Sequence, residues 1–481
     1  MTYLKKLILL CVLITISVGI YNAYKPLPSG LDFSGSTHAA KNAKFLFDST
    51  YLDARGERKI EQQIFDEVLA MIANAREFVL VDMFLFNNFQ GELGETYRPL
   101  SSELTAALIA HKQQFPQVEM HVISDPLNSL YGGRPSPQFA ELEAAGITVT
   151  LTNLSRLRDS NPLYSAWWRI FAQPFANSEG TTLPNPFTEG RVSLRSYLAL
   201  LNFKANHRKV ILADNKQTLN ALVTSANPHD GSSAHSNVAL RFSGAAAWDL
   251  LATEAAVLAF SDGPEIGYGK GRVSEPDVAE PALNEDTVRL QVVTERSVER
   301  ALLAIIHQAE AGEQLDMAAF YLSDRQVIRA LREASLRGAH VRVLLDANKD
   351  AFGREKNGVP NRPVAHELVQ AGVDVRWCAT NGEQCHSKWV YHENAEGQGT
   401  MLLGSTNFTR RNLHNLNLET SVVLSGALTA EPLAHGKQWF DNQWQNVEGK
   451  EFSLNYEVYA NASLWYRLLY RVMEATGLST F

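Results

Sequence analysis

Hydrophobic and polar positions follow the same order in two halves of the chain. In each half a strongly apolar strand is followed by a helix, a second strand that ends in aspartate, and a helix that closes on Ala-Gly. The corresponding segments are 77–84 with 313–320, 101–112 with 324–337, 118–125 with 341–346, and 139–147 with 365–373. Three pairs within these segments, Asp82 with Asp316, Asp125 with Asp346 and Gly146 with Gly372, lie 234, 221 and 226 residues apart, which favours duplication over chance.

This alternation of strands and helices predicts an α/β fold. We expect two similar lobes, each a mixed β-sheet flanked by helices, related by a pseudo-two-fold duplication and packed face to face around one shared active site. The predicted divisions are an N-terminal membrane anchor or signal segment (1–30), a first lobe (31–261) with an insertion at about 152–205, a linker rich in Gly, Pro and Glu (262–286), a second lobe (287–450), and a C-terminal amphipathic tail (451–481).

The N-terminal segment decides the predicted compartment. Residues 7–21 are apolar and follow Lys5 and Lys6, so they form either an uncleaved membrane anchor or a cleaved signal peptide. Because lysines favour the cytoplasmic side, both alternatives place the body on the non-cytoplasmic side, in a periplasmic, extracellular or lumenal space.

Composition excludes some classes of protein. Among 481 residues, 45% are hydrophobic and 20% are charged, which excludes a wholly disordered chain and a polytopic membrane protein. The net charge of −8 disfavours non-specific nucleic-acid binding but leaves a local basic cleft open. Cys378 and Cys385 could form a disulfide across a turn in an oxidising compartment, or stay as two thiols.

A repeated polar motif carries the candidate chemistry. A histidine is followed by a lysine two positions later and by an acid after five more, and a Ser-x-Asn pair follows downstream. The residues are His207, Lys209, Asp214, Ser225 and Asn227 in the first half, and His386, Lys388, Glu393, Ser405 and Asn407 in the second.

Residues two apart on a strand share a face, so His and Lys of each motif should point together, whereas Arg208 and Ser387 point away. Lysine supplies positive charge, while serine and asparagine supply hydrogen-bond donors for a phosphate. Two such half-sites could place one histidine as nucleophile and the other as general acid on opposite sides of a phosphorus atom.

With these paired motifs the sequence resembles the phospholipase D superfamily, from about residue 45 to 450. The resemblance implies two α/β lobes, one active site, no cofactor and no obligatory metal. It also implies a covalent phosphohistidine, with His207 as nucleophile and His386 as acid, and one chain is sufficient to complete the site.

Two positions depart from the expected symmetry. The second acid is Glu393 rather than aspartate. Asn237 follows Asn227 by ten residues, and Asn417 follows Asn407 by the same number. This count places Glu419, a candidate support residue, at the position that Ala239 occupies in the first half. One role is therefore expected to be missing from the first half.

The predicted substrate is a phospholipid at a membrane surface, hydrolysed or transferred as a cardiolipin synthase does. The N-terminal anchor favours this, as do the aromatic run at 163–171 and the amphipathic segment at 463–473, although either segment could instead pack on the protein's own core. One alternative is an anchored phosphodiesterase that cuts single-stranded nucleic acid, with the aromatic side chains stacking on bases. Another is a non-catalytic lipid- or phosphate-binding protein.

Overall fold

The computed structural model describes residues 3–90, 97–270, 287–351, 354–479 and 481. Its helices are α1 (Tyr3–Tyr24), α2 (Ile64–Asn74), α3 (Leu100–Gln114), α4 (Pro137–Ala144), α5 (Pro162–Phe171), α6 (Leu194–Leu200), α7 (Ala245–Phe260), α8 (Arg296–Gln308), α9 (Arg325–Arg337), α10 (Asn361–Val369), α11 (Arg410–Leu413), α12 (Glu431–Gln445) and α13 (Leu464–Thr476).

The strands before the second half of the chain are β1 (His38–Ala39), β2 (Lys41–Leu52), β3 (Arg58–Glu61), β4 (Phe78–Met83), β5 (Glu119–Ser124), β6 (Thr148–Leu151), β7 (Leu183–Pro184), β8 (Arg191–Val192), β9 (Lys209–Asp214), β10 (Leu219–Thr224) and β11 (Asn237–Ser243). They are followed by β12 (Arg289–Thr294), β13 (Gln314–Ala319), β14 (His340–Leu345), β15 (Asp350–Ala351), β16 (Arg354–Glu355), β17 (Asp374–Cys378), β18 (Lys388–Glu393), β19 (Gln398–Gly404), β20 (Thr420–Ala427) and β21 (Ser453–Asn455).

Two large mixed sheets carry the fold. The first runs β3-β2-β11-β10-β9-β4-β5-β6, and the second runs β1-β12-β20-β19-β18-β13-β14-β17-β21. From β2 to β6 and from β12 to β17, seven strands follow the same order, with parallel pairing confined to the last three of each series. The predicted α/β class with mixed sheets flanked by helices is confirmed.

Local sequence explains how these elements begin and end. Every residue of β4 is buried, as expected for a central strand covered on both faces. Helix α9 begins where the Asp324 carboxylate accepts hydrogen bonds from the N–H groups of Gln326 and Val327, and ends at Gly338, whose φ of 100° suits glycine.

The hydrophobic core lies in three layers. One cluster lies between the sheets, with Leu212 and Leu240 from the first and Trp389 and Leu424 from the second. The other two clusters lie under the outer helices of each sheet. Residues alternate along the central strands between the shared cluster and an outer one, as in β9, where Val210 and Leu212 lie in the shared cluster and Ile211 and Ala213 in the outer one.

Strand register corrects one match made from the sequence. Met83 lies opposite Lys209 in the first sheet, and Ala319 lies opposite Lys388 in the second. Equivalent positions are therefore 236 residues apart, so Asp82 corresponds to Ala318 and not to Asp316. The two aspartates consequently have different partners: Asp82 accepts hydrogen bonds from Asn206, whereas Asp316 pairs with Arg342.

The lobe boundaries also differ from those predicted. Strand β1, expected in the first lobe, pairs with β12 at the edge of the second sheet, and β21, expected in the tail, pairs with β17. In the predicted linker, Gly267 and Tyr268 each donate an N–H group to the carboxylate of Glu119, so this part packs on the first lobe. Residues 271–286 of that linker lie outside the described residues.

One helix of the described residues, α1, is long enough and apolar enough to cross a membrane. It has 22 residues and a mean hydropathy of 2.1.

Candidate active site

The first half-site lies at the start of β9. His207 immediately precedes the strand, and the ammonium group of Lys209 donates to the His207 carbonyl oxygen at 2.7 Å. The ring of Phe84 lies 4.9 Å from the His207 ring, centroid to centroid, and 5.3 Å from the Lys209 nitrogen. The aromatic ring therefore fixes histidine and lysine on the same side of the strand.

The second half-site repeats this arrangement at β18. The Lys388 ammonium donates to the His386 carbonyl oxygen, and the Phe320 ring lies 4.9 Å from the His386 ring and 5.1 Å from the Lys388 nitrogen. Cys378 and Cys385 form a disulfide with Cα atoms 6.1 Å apart, which closes the loop immediately before His386.

A buried aspartate holds the residue before each histidine. Asp125 accepts the N–H of Asn206 at 2.7 Å, and Asp346 accepts the N–H of Cys385 at 2.8 Å. Burial raises the pKa of Asp125 to about 7 and that of Asp346 to about 6. These are the aspartates that end the second strand of each half, so the repeated pattern marked them correctly.

The two half-sites meet through crossed contacts between the lobes. His207 donates its backbone N–H to Leu418 of the second lobe, at 2.9 Å, and His386 donates its own to Ser236 of the first, at 2.8 Å. The Nδ1 atom of His207 lies 3.0 and 3.1 Å from the carboxylate oxygens of Glu419.

The reciprocal partner is an amide. Nδ1 of His386 lies 3.2 Å from Oδ1 of Asn237. Each histidine is thus oriented by a side chain from the opposite lobe, which leaves Nε2 of each ring available for chemistry.

The predicted serines support these crossed contacts. Ser225 donates to Asn237 at 2.9 Å, and Ser405 donates to the carboxylate of Glu419. The hydroxyl oxygens also accept the N–H groups of Val238 and Thr420, both at 3.0 Å.

These matching bonds make Asn237 the equivalent of Glu419. The expectation that Ala239 stands in that place is therefore corrected. Counting residues failed because the second lobe has two more residues between the Ser-x-Asn motif and its last central strand. The two lobes do carry the same contact, but one uses a carboxylate and the other a carboxamide.

The predicted asparagines are buried close to the crossed contacts. Asn227 accepts the N–H of Leu85 at 3.2 Å through Oδ1, which directs its side chain toward the loop that carries Phe84. Asn407 is also buried, and its Oδ1 has no hydrogen-bond partner among the described residues. A buried amide without a partner is costly, so a bound polar ligand would be stabilised here.

The motif acids lie elsewhere, and this corrects the expectation that Asp214 and Glu393 act beside the histidines. Asp214 ends β9, about 17 Å along the strand from Lys209. Its Oδ1 accepts the N–H groups of Arg76, Glu77 and Phe78, and such bonds hold its pKa below the usual value against the effect of burial. Glu393 occupies the same far end of β18. Both positions suit a structural role.

Burial sets the electrostatics of the site. It lowers the pKa of His207 to about 4, although Glu419 acts to raise it. Burial and the charge of Lys388 hold the pKa of His386 well below its usual value. Burial also lowers the pKa of Lys209 to about 7, and burial together with the charge of Lys209 holds the pKa of Lys388 well below its usual value. Two ammonium groups that repel each other favour a bound anion between them.

Sequence reasoning missed Phe84, Phe320 and His235 as parts of the site. The first two end the apolar strands 77–84 and 313–320, and only the strand register reveals that each reaches a histidine. His235 is buried with its ring centroid 5.9 Å from that of His386, and it accepts the N–H of Gln384 through Nδ1. No spacing signal distinguishes it from other histidines.

A separate group of side chains has the composition of a metal site. Glu299, Asp324 and His414 lie within reach of one ion. His414, however, already contacts Asp324 at 2.9 Å and Glu299 at 3.3 Å, so the group is satisfied as an ion-pair cluster.

Comparisons with known proteins bear on the family and the fold of the chain. Residues 302–444 match the family described as "Cardiolipin synthase, PLD-like domain". The chain is similar to the crystal structure of phosphatidylserine synthase from Haemophilus influenzae Rd KW20, with a TM-score of 0.56 and 11% identity over 96% of this chain and 98% of that one.

Nuc from Salmonella typhimurium, a phospholipase D family member, aligns with a TM-score of 0.28 and 21% identity over 34% of this chain and 97% of its own. No curated protein matches the chain. Over residues 302–444 the family match confirms the resemblance to the phospholipase D superfamily that the paired motifs indicate, and this part of the chain is a cardiolipin synthase-like, PLD-like domain.

Proposed function

We propose that this protein is a membrane-anchored phosphodiesterase or phosphatidyltransferase that acts on phospholipids through a covalent phosphohistidine. The crossed contact of each lobe with the other's histidine carries the proposal, because it gathers two histidines and two lysines at one interface. A phosphodiester anion between Lys209 and Lys388 would relieve their mutual repulsion.

His207 suits the role of nucleophile. With a pKa of about 4 it is neutral at pH 7, and its Nδ1–H faces Glu419, so Nε2 carries the lone pair. In the proposed step a bond forms between Nε2 and phosphorus while the bond from phosphorus to the leaving oxygen breaks. The ring then becomes cationic, and the Glu419 carboxylate stabilises that charge.

His386 suits the role of general acid. It would give a proton from Nε2 to the leaving alkoxide and then remove one from the incoming water or alcohol, which releases His207. Its low pKa in the free enzyme would rise once the phosphate anion lies beside it, because the negative charge favours imidazolium. In this scheme one chain supplies every group.

The proposed location is the non-cytoplasmic side of a membrane. Lys5 and Lys6 begin α1 and favour the cytoplasm, and the Cys378–Cys385 disulfide suits an oxidising compartment. A lipid substrate would then reach the site from the same membrane in which α1 lies.

The test uses the full-length protein in lipid nanodiscs. One sample receives phosphatidylglycerol with a labelled head group, and a second receives labelled single-stranded DNA or RNA. His207→Ala and His386→Ala should each abolish release of label from lipid. His435→Ala, which removes an exposed histidine on α12, should have no effect. Cutting of nucleic acid alone would overturn the lipid substrate in favour of the nuclease alternative.

A further inference from the structure

The end of helix α1 is fastened to the first-lobe insertion. A Cβ atom at Gly19 would lie 3.4 Å from Ala166 on α5, so the two helices approach closely there. The N–H of Asp159 donates to the carbonyl oxygen of Asn22 at 2.9 Å, and Arg158 donates to that of Lys25 at 2.7 Å. Within α1, Gly19 and Asn22 are the buried residues, and residues 3–14 are all exposed.

Helix α5 turns an apolar face to the outside beside this junction. Leu163, Trp167 and Phe171 follow one another at a spacing of four and are 87%, 42% and 53% exposed. Phe175, just beyond the helix, is 67% exposed. Ser165 and Ala166 face inward, so α5 already has its packing side. The outer apolar face of α5 therefore does not contribute to the protein's own core.

Helix α13 adds a second face of the same kind. Leu464, Leu468 and Val472, again four apart, are 76%, 56% and 49% exposed, while Tyr470 on the other side is buried and donates to Glu367. The helix ends against the start of α5, because a Cβ atom at Gly477 would lie 1.8 Å from the carbonyl oxygen of Ser160. The 463–473 segment thus both docks on the core and exposes an apolar side.

The length of α1 determines how deep these faces lie. A bilayer has a hydrocarbon core of about 30 Å. From Leu7, the first residue after the paired lysines, to Val18, the helix spans only about 18 Å at 1.5 Å per residue. Even Leu7 to Tyr24 spans about 27 Å. For α1 to cross, the part that packs on α5 must itself lie in the membrane.

We propose that the outer faces of α5 and α13 form a membrane-inserted platform at the foot of α1, occupied by lipid. The platform consists of Leu163, Trp167, Phe171 and Phe175 with Leu464, Trp465, Leu468 and Val472. The six residues from Gly19, where α5 approaches α1, to Tyr24 span about 9 Å, which matches the depth of about 5–10 Å at which amphipathic helices bury their apolar face.

This platform rests on α1 being a membrane span, as in the proposed function, but not on the reaction. It would bring the bilayer surface close to the candidate site. Ser160, just before α5, donates to the carbonyl oxygen of Phe203, which is four residues before His207. The guanidinium of Arg411 lies over the Phe203 ring at 5.2 Å.

The test places one fluorescent label at a time on the full-length protein in lipid vesicles. Cys11 is the free cysteine of the described residues and lies in α1, so it labels the span itself. Leu163→Cys, Phe171→Cys and Leu468→Cys are made with Cys11→Ser, without reductant so that the disulfide stays closed. Leu336→Cys is the matched control, because Leu336 is 74% exposed on α9.

With an environment-sensitive dye, labels at 163, 171 and 468 should shift to the blue and lose about half of their emission to lipids carrying a shallow nitroxide quencher. The label at 336 should do neither. Labels at 163 and 171 that stay in water while Cys11 lies in lipid would overturn the platform alone. Water exposure at Cys11 as well would overturn the anchor too. A blue shift without nitroxide quenching would mean that protein covers the face, and would also overturn the proposal.

Discussion

Replacing Glu419 with glutamine tests the role of the crossed carboxylate with little change in shape. Glutamine keeps an oxygen for the Nδ1–H of His207 and for the Ser405 hydroxyl, but it removes the negative charge. A charge pair about 4 Å apart at an effective dielectric constant of about 20 is worth about 4 kcal/mol. A neutral hydrogen bond returns about 1 kcal/mol.

The variant should therefore lose about 3 kcal/mol of transition-state stabilisation, which lowers kcat/KM about 160-fold. The pH profile gives a second readout. Burial lowers the pKa of His207 to about 4 even though Glu419 acts to raise it, so neutralising Glu419 should move the acid limb of kcat/KM to still lower pH. A merely structural role for Glu419 would not move this limb.

The assay measures head-group release from labelled phosphatidylglycerol in nanodiscs between about pH 3.5 and about pH 8, a range that includes both the pKa of about 4 of His207 and the ordinary histidine pKa of about 6.5. Glu313→Gln is the matched control, since Glu313 contacts His392 at 2.8 Å outside the candidate site. It should leave kcat/KM unchanged. If Glu419→Gln folds normally and retains kcat/KM within about threefold of the wild type, with an unmoved acid limb, the assigned role is refuted.

Three further variants test the surrounding structure. Removing the disulfide with Cys378→Ser and Cys385→Ser should lower the free energy of unfolding by about 2 kcal/mol in urea titrations, and reduction of the wild type should have the same effect; an unchanged midpoint would contradict this. Although burial lowers it, the hydrogen bonds that the His414 ring donates to the carboxylates of Asp324 and Glu299 raise the pKa of His414 to about 9. The stabilisation that charged His414 gains from these two carboxylates should be complete below about pH 6.5 and lost as the pH rises through about 9. In thermal unfolding, His414→Gln should therefore cost about 2 kcal/mol at about pH 6 and little at about pH 10. Arg208→Met should cost about 3–5 kcal/mol, because it leaves the buried carboxylates of Glu254 and Glu295 unpaired; unfolding close to that of the wild type would show that they are neutral.

The sequence allowed the α/β class, the paired motifs and the orientation of alternate residues to be predicted. Arg208 does point away from His207 and Lys209, into an ion pair with Glu295 of the other lobe. The residue-by-residue match between the strands of the two halves was harder to predict from the sequence. A shift of two residues keeps every side chain on the same face of a strand, so a match of Asp82 with Asp316 looks as good as the true one.

The role of the motif acids could not be predicted for a related reason. Spacing places Lys209 and Asp214 on one strand but says nothing about what packs at its far end. There the backbone N–H groups of residues 76–78 surround the carboxylate of Asp214, a contact between segments more than 130 residues apart. The crossed contacts of Glu419 and Asn237 depend in the same way on how the lobes pack.

The difference between Glu419 and Asn237 has a direct consequence for the proposed mechanism. Two identical half-sites would offer two histidines of equal character, and neither would be preferred as nucleophile. A carboxylate stabilises a cationic ring in a way that a carboxamide does not. His207, facing Glu419, is therefore better able to hold a positively charged phosphohistidine, whereas His386, facing Asn237, releases its proton more readily. In the proposed mechanism, the one side chain that differs between the crossed contacts would therefore set the direction of attack.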